Sequence, residues 1–268
     1  MRPLWVEDVW RDGWPFSAGD PVVCLHQHSG LARSTYRRFA RSDTSGNPRL
    51  ESALHAGPRE HWNLDVVKGV DRGLEPPPVL RSRRSCRNFV REIGTAESLL
   101  DLLSAGLRHE RVEHPDGRVE WTACYPSAAR TFPVDVYASV RVCDETVDHY
   151  HYRPREHLLE RLHSTTPAEQ FCELSANRHL LRDVPYVLHF VLSRPRVEMR
   201  YGYRGYRFGV IEAGAMAQTM ACSMAHHGLA TLVVGGMFDE PVTDVLRIDG
   251  VSELYLFSQL VGSPREQA

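Results

Sequence analysis

The chain has 268 residues, 42% of them hydrophobic and 25% charged, which is ordinary globular composition with room for one sizeable core or two small ones. Lys and Arg total 32 against 34 Asp and Glu, for a formal net charge of −2. That balance argues against a general nucleic-acid or polyanion binder, so any anion site should be local. The six cysteines form no C-x-x-C pair, which gives neither a zinc ribbon nor a disulfide framework. The amino-terminal stretch MRPLWVEDVWRDGW carries acids and no apolar run, so it does not read as a signal peptide. No stretch reaches the ~18 apolar residues of a membrane span. A cytoplasmic, thiol-reduced protein is expected.

In chain order, residues 1–78 are polar and turn-rich and end in Pro76, Pro77 and Pro78, a stiff extended spacer. This segment reads as an amino-terminal arm or small extension, and residues 79–268 as the main domain. Thr95 is placed to cap a helix whose Leu99, Leu102, Leu103 and Leu107 share one face. Residues 132–140 alternate and are β-branched, predicting a strand, and a helix is expected over 154–163. The apolar run 186–192 predicts a buried strand. Residues 209–227 predict a helix of few charges, with Ala213, Met216, Ala217, Met220, Ala221, Met224 and Ala225 at helical spacing. Its plainest reading is a central core helix, stopped by Gly228. Strands follow at 230–237 and at the carboxyl end. Helices and strands mix without strict alternation, which predicts an α+β fold with a mixed β-sheet flanked by helices.

Several stretches carry chemistry weakly when taken one at a time. RRSCRNF at residues 83–89 sets Arg83, Arg84 and Arg87 around Ser85, forked donors and a hydroxyl suited to a phosphate; a solvated charged face is the plain alternative. YPSA, with Pro126, Ser127 and Ala128, reads as a turn. Gly235 and Gly236, before Met237, follow a strand and allow a backbone to lie against a flat ligand, or simply a tight turn. The RGYRF block faintly matches an RNA-recognition signature, but the fold and charge that signature needs are missing. The pairs His26/His28 and His149/His151 lack a third ligand, so no metal is expected. No P-loop, G-x-S-x-G or G-x-G-x-x-G occurs.

Their order along the chain resembles the nitroreductase superfamily of FMN flavoproteins, in particular its SagB-type branch, which includes azoline dehydrogenases that form thiazoles and oxazoles in peptide natural products. The resemblance covers about residues 79–265. It implies FMN as cofactor, held by Arg83, Arg84, Ser85 and Arg87, with Arg265 reaching the phosphate. It further implies that Pro126, Ser127 and Ala128 approach the flavin from the partner subunit of an intertwined homodimer, and that Gly235, Gly236 and Met237 lie near the ring. The substrate implied is an azoline or related residue on a peptide or a carrier-protein-bound intermediate, with oxygen as reoxidant and biosynthetic complex partners possible. Nucleic acid and membrane are not expected partners.

Three departures stand out. The usual PSAG reads Pro126-Ser127-Ala128-Ala129. The usual EAGH reads Glu212-Ala213-Gly214-Ala215. The Lys-Tyr pair of the azoline dehydrogenases reads Arg200-Tyr201. Arginine stays charged, so Tyr201 is the proton acceptor left in the catalytic pair. The rival readings are an NAD(P)H-dependent nitro or quinone reductase and a flavin-binding scaffold without catalysis.

Overall fold

A computed structural model describes residues 20–29 and 75–265. Its center is a six-stranded sheet in the order β5-β4-β3-β6-β8-β7. The strands are β3 (Val134–Arg141), β4 (Thr146–Arg153), β5 (Leu158–Pro167), β6 (Tyr186–Ser193), β7 (Ala230–Val234) and β8 (Glu253–Gly262). All five pairings between these strands are antiparallel, and the parallel element is a single bridge from Ser85 to Thr231 at the β7 edge. A separate hairpin joins β1 (Glu110–Glu113) to β2 (Val119–Thr122). Helices flank the sheet, so the α+β expectation holds.

Each face of the sheet carries its own core. On one, α3 (Ala96–Ser104) and the long α7 (Gly205–His226) pack Leu99, Leu103, Met216, Met220 and Met224 against Val136, Val140, Leu188 and Phe190. Thr95 caps α3 as its position predicts, its hydroxyl accepting the Ser98 amide at 3.1 Å. On the other, α4 (Ala168–Cys172), α5 (Arg178–Arg182) and α8 (Asp239–Leu246) cover Val187, Val191, Leu232 and Leu260. The short α2 (Pro78–Ser82) begins on the last proline of the triplet, with Pro77 at its N-cap.

The helix expected over 154–163 is not formed. Arg153 ends β4, His157 turns the chain at φ 52°, and β5 runs from Leu158 as an edge strand. Leu158, Leu159 and Leu162 mimic a helical face, but Leu159 and Leu162 pack into different cores, one on each side of the sheet. Pairing with β4 decides against the local pattern. β4 itself, α6 (Arg194–Tyr201) and the first turn of α7 were not expected. The strand expected from 132 begins at Val134, because Phe132 sits at φ 44° in the preceding turn.

Across the second core runs a line of buried hydrogen bonds, each 2.8 Å: Thr166 to His149, His149 to Ser139, Ser139 to His189, His189 to Ser258, and Ser258 to Tyr255. Burial pushes His149 down to about 4 and His189 down to about 3, so both rings are neutral. A neutral imidazole offers one donor and one acceptor, and this line uses both on each ring.

Within residues 1–78 the described helix is α1 (Pro21–Ser29), and it is tied to the main body. Val22 packs with Leu192, Val197 and Leu254. Asp20 accepts the Val22 amide at 2.8 Å and an Nη of Arg194 at 3.0 Å. Arg194, with no exposed surface, also donates to both oxygens of Glu198, at 2.7 and 3.0 Å, and to the Val251 carbonyl at 3.1 Å. Removing one partner from such a buried set strands the others, which costs about 3–5 kcal/mol. Arg194→Ala is expected to lower the unfolding free energy by that amount in urea denaturation, with Asp20→Asn costing less because Glu198 still neutralizes the guanidinium.

Candidate functional site

The arginine run is held by main-chain bonds to two distant parts of the chain. The Cys86 amide donates to Thr231 of β7 at 3.0 Å, the Val90 amide to Ser263 at 2.9 Å, and the Arg265 amide to Asn88 at 2.9 Å. This clamp sets Arg265 beside the turn. Arg84, Ser85, Arg87 and Arg265 line one cavity of about 710 Å³, with His179 and Thr231. Arg84 turns one Nη back onto the Arg83 carbonyl at 3.0 Å, and also onto the Arg81 carbonyl at the end of α2. Among the described residues neither Arg83 nor Arg87 has a carboxylate partner, and the Arg265–Asp183 pair is long, at 3.7 Å. Guanidinium groups with few acidic partners are suited to an anion.

A second cavity of about 250 Å³ continues from the first, sharing Ser85, Ala221 and Thr231. Its other walls include Arg83, Gly214, Ala217, Val233 and Phe257. A β-carbon built on Gly214 or Gly235 would meet no atom within 4 Å, so packing of this chain does not account for either glycine. A basic recess opening into an apolar slot fits FMN: Arg84, Arg87, Arg265 and Ser85 would take the phosphate, and the Gly214/Val233/Phe257 slot the flat ring. The alanines of α7 acquire a second purpose here. Met216, Met220 and Met224 fill the core, while Gly214, Ala217, Ala221 and Ala225 line the cavities.

The other expected site residues lie apart from this recess within one chain. Pro126, Ser127 and Ala128 lead a turn in which Ala129, Arg130 and Phe132 all have positive φ, at 48°, 54° and 44°. Non-glycine residues pay for that conformation, and such strain gathers at functional sites. The turn is pinned on several sides. Phe132 donates its amide to Ser127 Oγ at 2.9 Å, Arg196 donates to the Phe132 carbonyl at 2.8 Å, and Tyr125 Oη meets His109 Nε2 at 2.8 Å. Gly236 gives its carbonyl to the Ala176 amide and the Ser175 hydroxyl, and Met237 is buried in the second core. Arg200 is exposed at the end of α6, and Tyr201 packs edge-on against Phe208, with ring centers 4.8 Å apart. Neither lines either of these two cavities.

Glu212 escaped the sequence reading except as part of an altered motif. It is 2% exposed on α7, and neither carboxylate oxygen has a hydrogen bond of ordinary geometry. Burial pushes its carboxyl up to about 7, opposed in part by the Ser127 hydroxyl, Arg196, and the amides of Val134 and Ala128. It therefore lies against the strained turn. A lone acid in an otherwise uncharged helix face was the available signal.

The sign of its pH effect follows. The unfolded carboxyl releases its proton near 4.5, while the folded one keeps it until about 7. Between those values the folded state binds more protons, so Glu212 lowers stability progressively as pH rises, by up to about 3 kcal/mol above pH 7. Glu212→Gln is expected to gain stability over the wild type as pH rises from 4.5 to 7. Parallel denaturation curves for the two proteins would refute this.

Comparison with known proteins bears on the family and the fold. A model of the nitroreductase family matches residues 80–262. A putative nitroreductase of Methanocaldococcus jannaschii is 28% identical over 173 residues, spanning 63% of this chain and 83% of that protein. The microcin B17-processing protein McbC of Escherichia coli is 26% identical over 145 residues, spanning 52% of this chain and 53% of its own length, about half of that relative. Among solved structures, the E. coli microcin synthetase McbBCD complex with truncated pro-MccB17 bound aligns with a TM-score of 0.64 at 20% identity, over 92% of this chain and 95% of the matched chain. A putative nitroreductase from Ralstonia eutropha JMP134 aligns with a TM-score of 0.54 at 22% identity, over 75% and 89%. At such identities the structural likeness speaks for the fold, while the family match spans well over half of the chain. The chain belongs to the nitroreductase family and is an FMN-dependent oxidoreductase.

Proposed function

We propose that this protein oxidizes an azoline or similar ring on a peptide or carrier-bound intermediate, removing two electrons and two protons to leave the azole. The observation that carries the reading is the joined recess: a cavity lined by Arg84, Arg87 and Arg265, suited to a phosphate, that continues into a slot lined by Gly214, Val233 and Phe257, suited to a flat ring. The likeness to a peptide-processing protein and to its complex supports the substrate class and the presence of complex partners. Bound FMN supplies the two-electron acceptor. The chain's own part is to hold the cofactor at Arg84, Arg87 and Arg265, and to accept the substrate proton at Tyr201 Oη, next to the fixed charge of Arg200.

In this reading the protein acts as a homodimer. Pro126, Ser127 and Ala128 lie apart from the recess of their own chain, so a partner subunit is what brings them to the flavin. The strained, pinned turn suits that task, because a rigid loop meets a partner's cofactor with little ordering cost. A nitro- or quinone-reductase reading rests on the likeness to the archaeal protein. NADPH alone bleaching the flavin would favor that reading, and bleaching by an azoline peptide alone favors ours.

Arg87→Ala with Arg265→Ala removes charge-assisted bonds worth about 1.5–3 kcal/mol each. The double variant is expected to purify folded and without flavin; a fully yellow variant would show these arginines to be a surface face. Tyr201→Phe is expected to slow anaerobic flavin bleaching by substrate by ~10²–10⁴-fold, the usual worth of a general base, while retaining FMN. Arg200→Lys is expected to be tolerated. Wild-type bleaching by Tyr201→Phe would place the proton acceptor elsewhere.

A further inference from the structure

The other side of α5 borders a second basic cavity. His179 of this helix lines the flavin recess, whereas Arg178 and Arg182 line a separate cavity of about 420 Å³. Arg141, the last residue of β3, lines it too, although the residue is only 3% exposed. One of its Nη atoms donates to the Leu181 carbonyl at 2.8 Å, and its buried Nε has no hydrogen-bond partner. Among the described residues no carboxylate pairs with Arg141, and none pairs with Arg182.

The acids around the cavity do not meet this need. Asp144 accepts two bonds from Arg91, at 3.0 and 2.7 Å, and Glu173 is taken by Arg178. Glu169 is exposed and makes no ion pair among the described residues. The Cys172 thiol lies beside Arg141, but burial raises its pKa against the pull of that guanidinium, so it is no counter-charge. A guanidinium this deeply buried without a carboxylate is costly, and native structures ordinarily neutralize it. Arg141 and the unpaired fork of Arg182 both line this cavity, and the unpartnered Nε lies buried behind its wall.

We infer that this cavity binds a small oxyanion, a phosphate or a carboxylate, between Arg141 and Arg182. Planar forked donors from two elements suit a group with two or three oxygens, and the volume leaves room for a small organic remainder. The site is distinct from the flavin recess, which shares none of its lining residues.

The test is calorimetric titration of the FMN-loaded protein, in which the flavin recess is already filled. Inorganic phosphate and malonate are the two probes, in chloride buffer of constant ionic strength. Saturable binding of one anion per chain is expected, weakened at least about tenfold in Arg182→Ala and lost in Arg141→Gln. The tighter of the two probes names the ligand chemistry. The inference fails if neither anion gives saturable heat with the wild type, or if Arg182→Ala binds with unchanged affinity. Arg182 is exposed, so its variant decides the matter even where Arg141→Gln does not fold.

Discussion

Three main-chain hydrogen bonds hold together the recess in which the cofactor is proposed to sit. Cys86 to Thr231, Val90 to Ser263 and Arg265 to Asn88 stitch the arginine turn between the edge strand and the carboxyl-terminal tail. Residues far apart in sequence thereby become one basic recess. Without the stitch, the arginines at 83–87 would be a charged loop facing water, which is how their composition alone reads. Gly262 permits the closeness: a β-carbon there would fall 2.9 Å from Pro185 and 3.2 Å from Phe89.

Much of this was legible in the sequence, for reasons that can be stated residue by residue. α3 was legible because its cap and its leucine face agree. β6 and β8 were legible because burial on both faces leaves long apolar runs, and α7 because its methionines and alanines recur at helical spacing. β5 was not, since its leucines serve opposite faces of an edge strand and imitate a helix. The site was half legible. Charged forks and a serine advertise an anion pocket, and Arg265 follows once the tail is paired. The slot beyond it is built from glycine and alanine, which carry no chemical signature and read as ordinary core.

The line from Thr166 to Tyr255 shows a different constraint that no linear pattern reveals. If both histidines carry their proton on Nδ1, or both on Nε2, every hydroxyl between them has one donor and one acceptor partner. In a mixed state Ser139 would have to donate twice or leave its proton unused. The two rings, on β4 and β6 on either side of β3, are therefore coupled in tautomer through one serine. Charging either ring breaks the count, which agrees with their depressed pKa values. A satisfied polar line of this kind also fixes strand register, since a one-residue slip of any of its strands would leave buried polar groups without partners.

Buried charge is treated in two ways within this one fold. Around Arg194 it is neutralized in full, by Asp20 and Glu198, and the result ties an amino-terminal helix to the body. At Glu212 and Arg141 it is left without an ionic partner in contact, and both lie beside features that packing does not explain: a turn with three left-handed residues, and an open cavity. Local rules are broken where something outside the chain completes the arrangement. For Glu212 that something is the proton it holds under the turn. For Arg141 the missing partner is an anion from solution. The same logic separates scaffold from site elsewhere in the chain: Met216, Met220 and Met224 pack in the core, while Gly214, Ala217, Ala221 and Ala225 line the recess proposed for the cofactor, where small side chains leave it room.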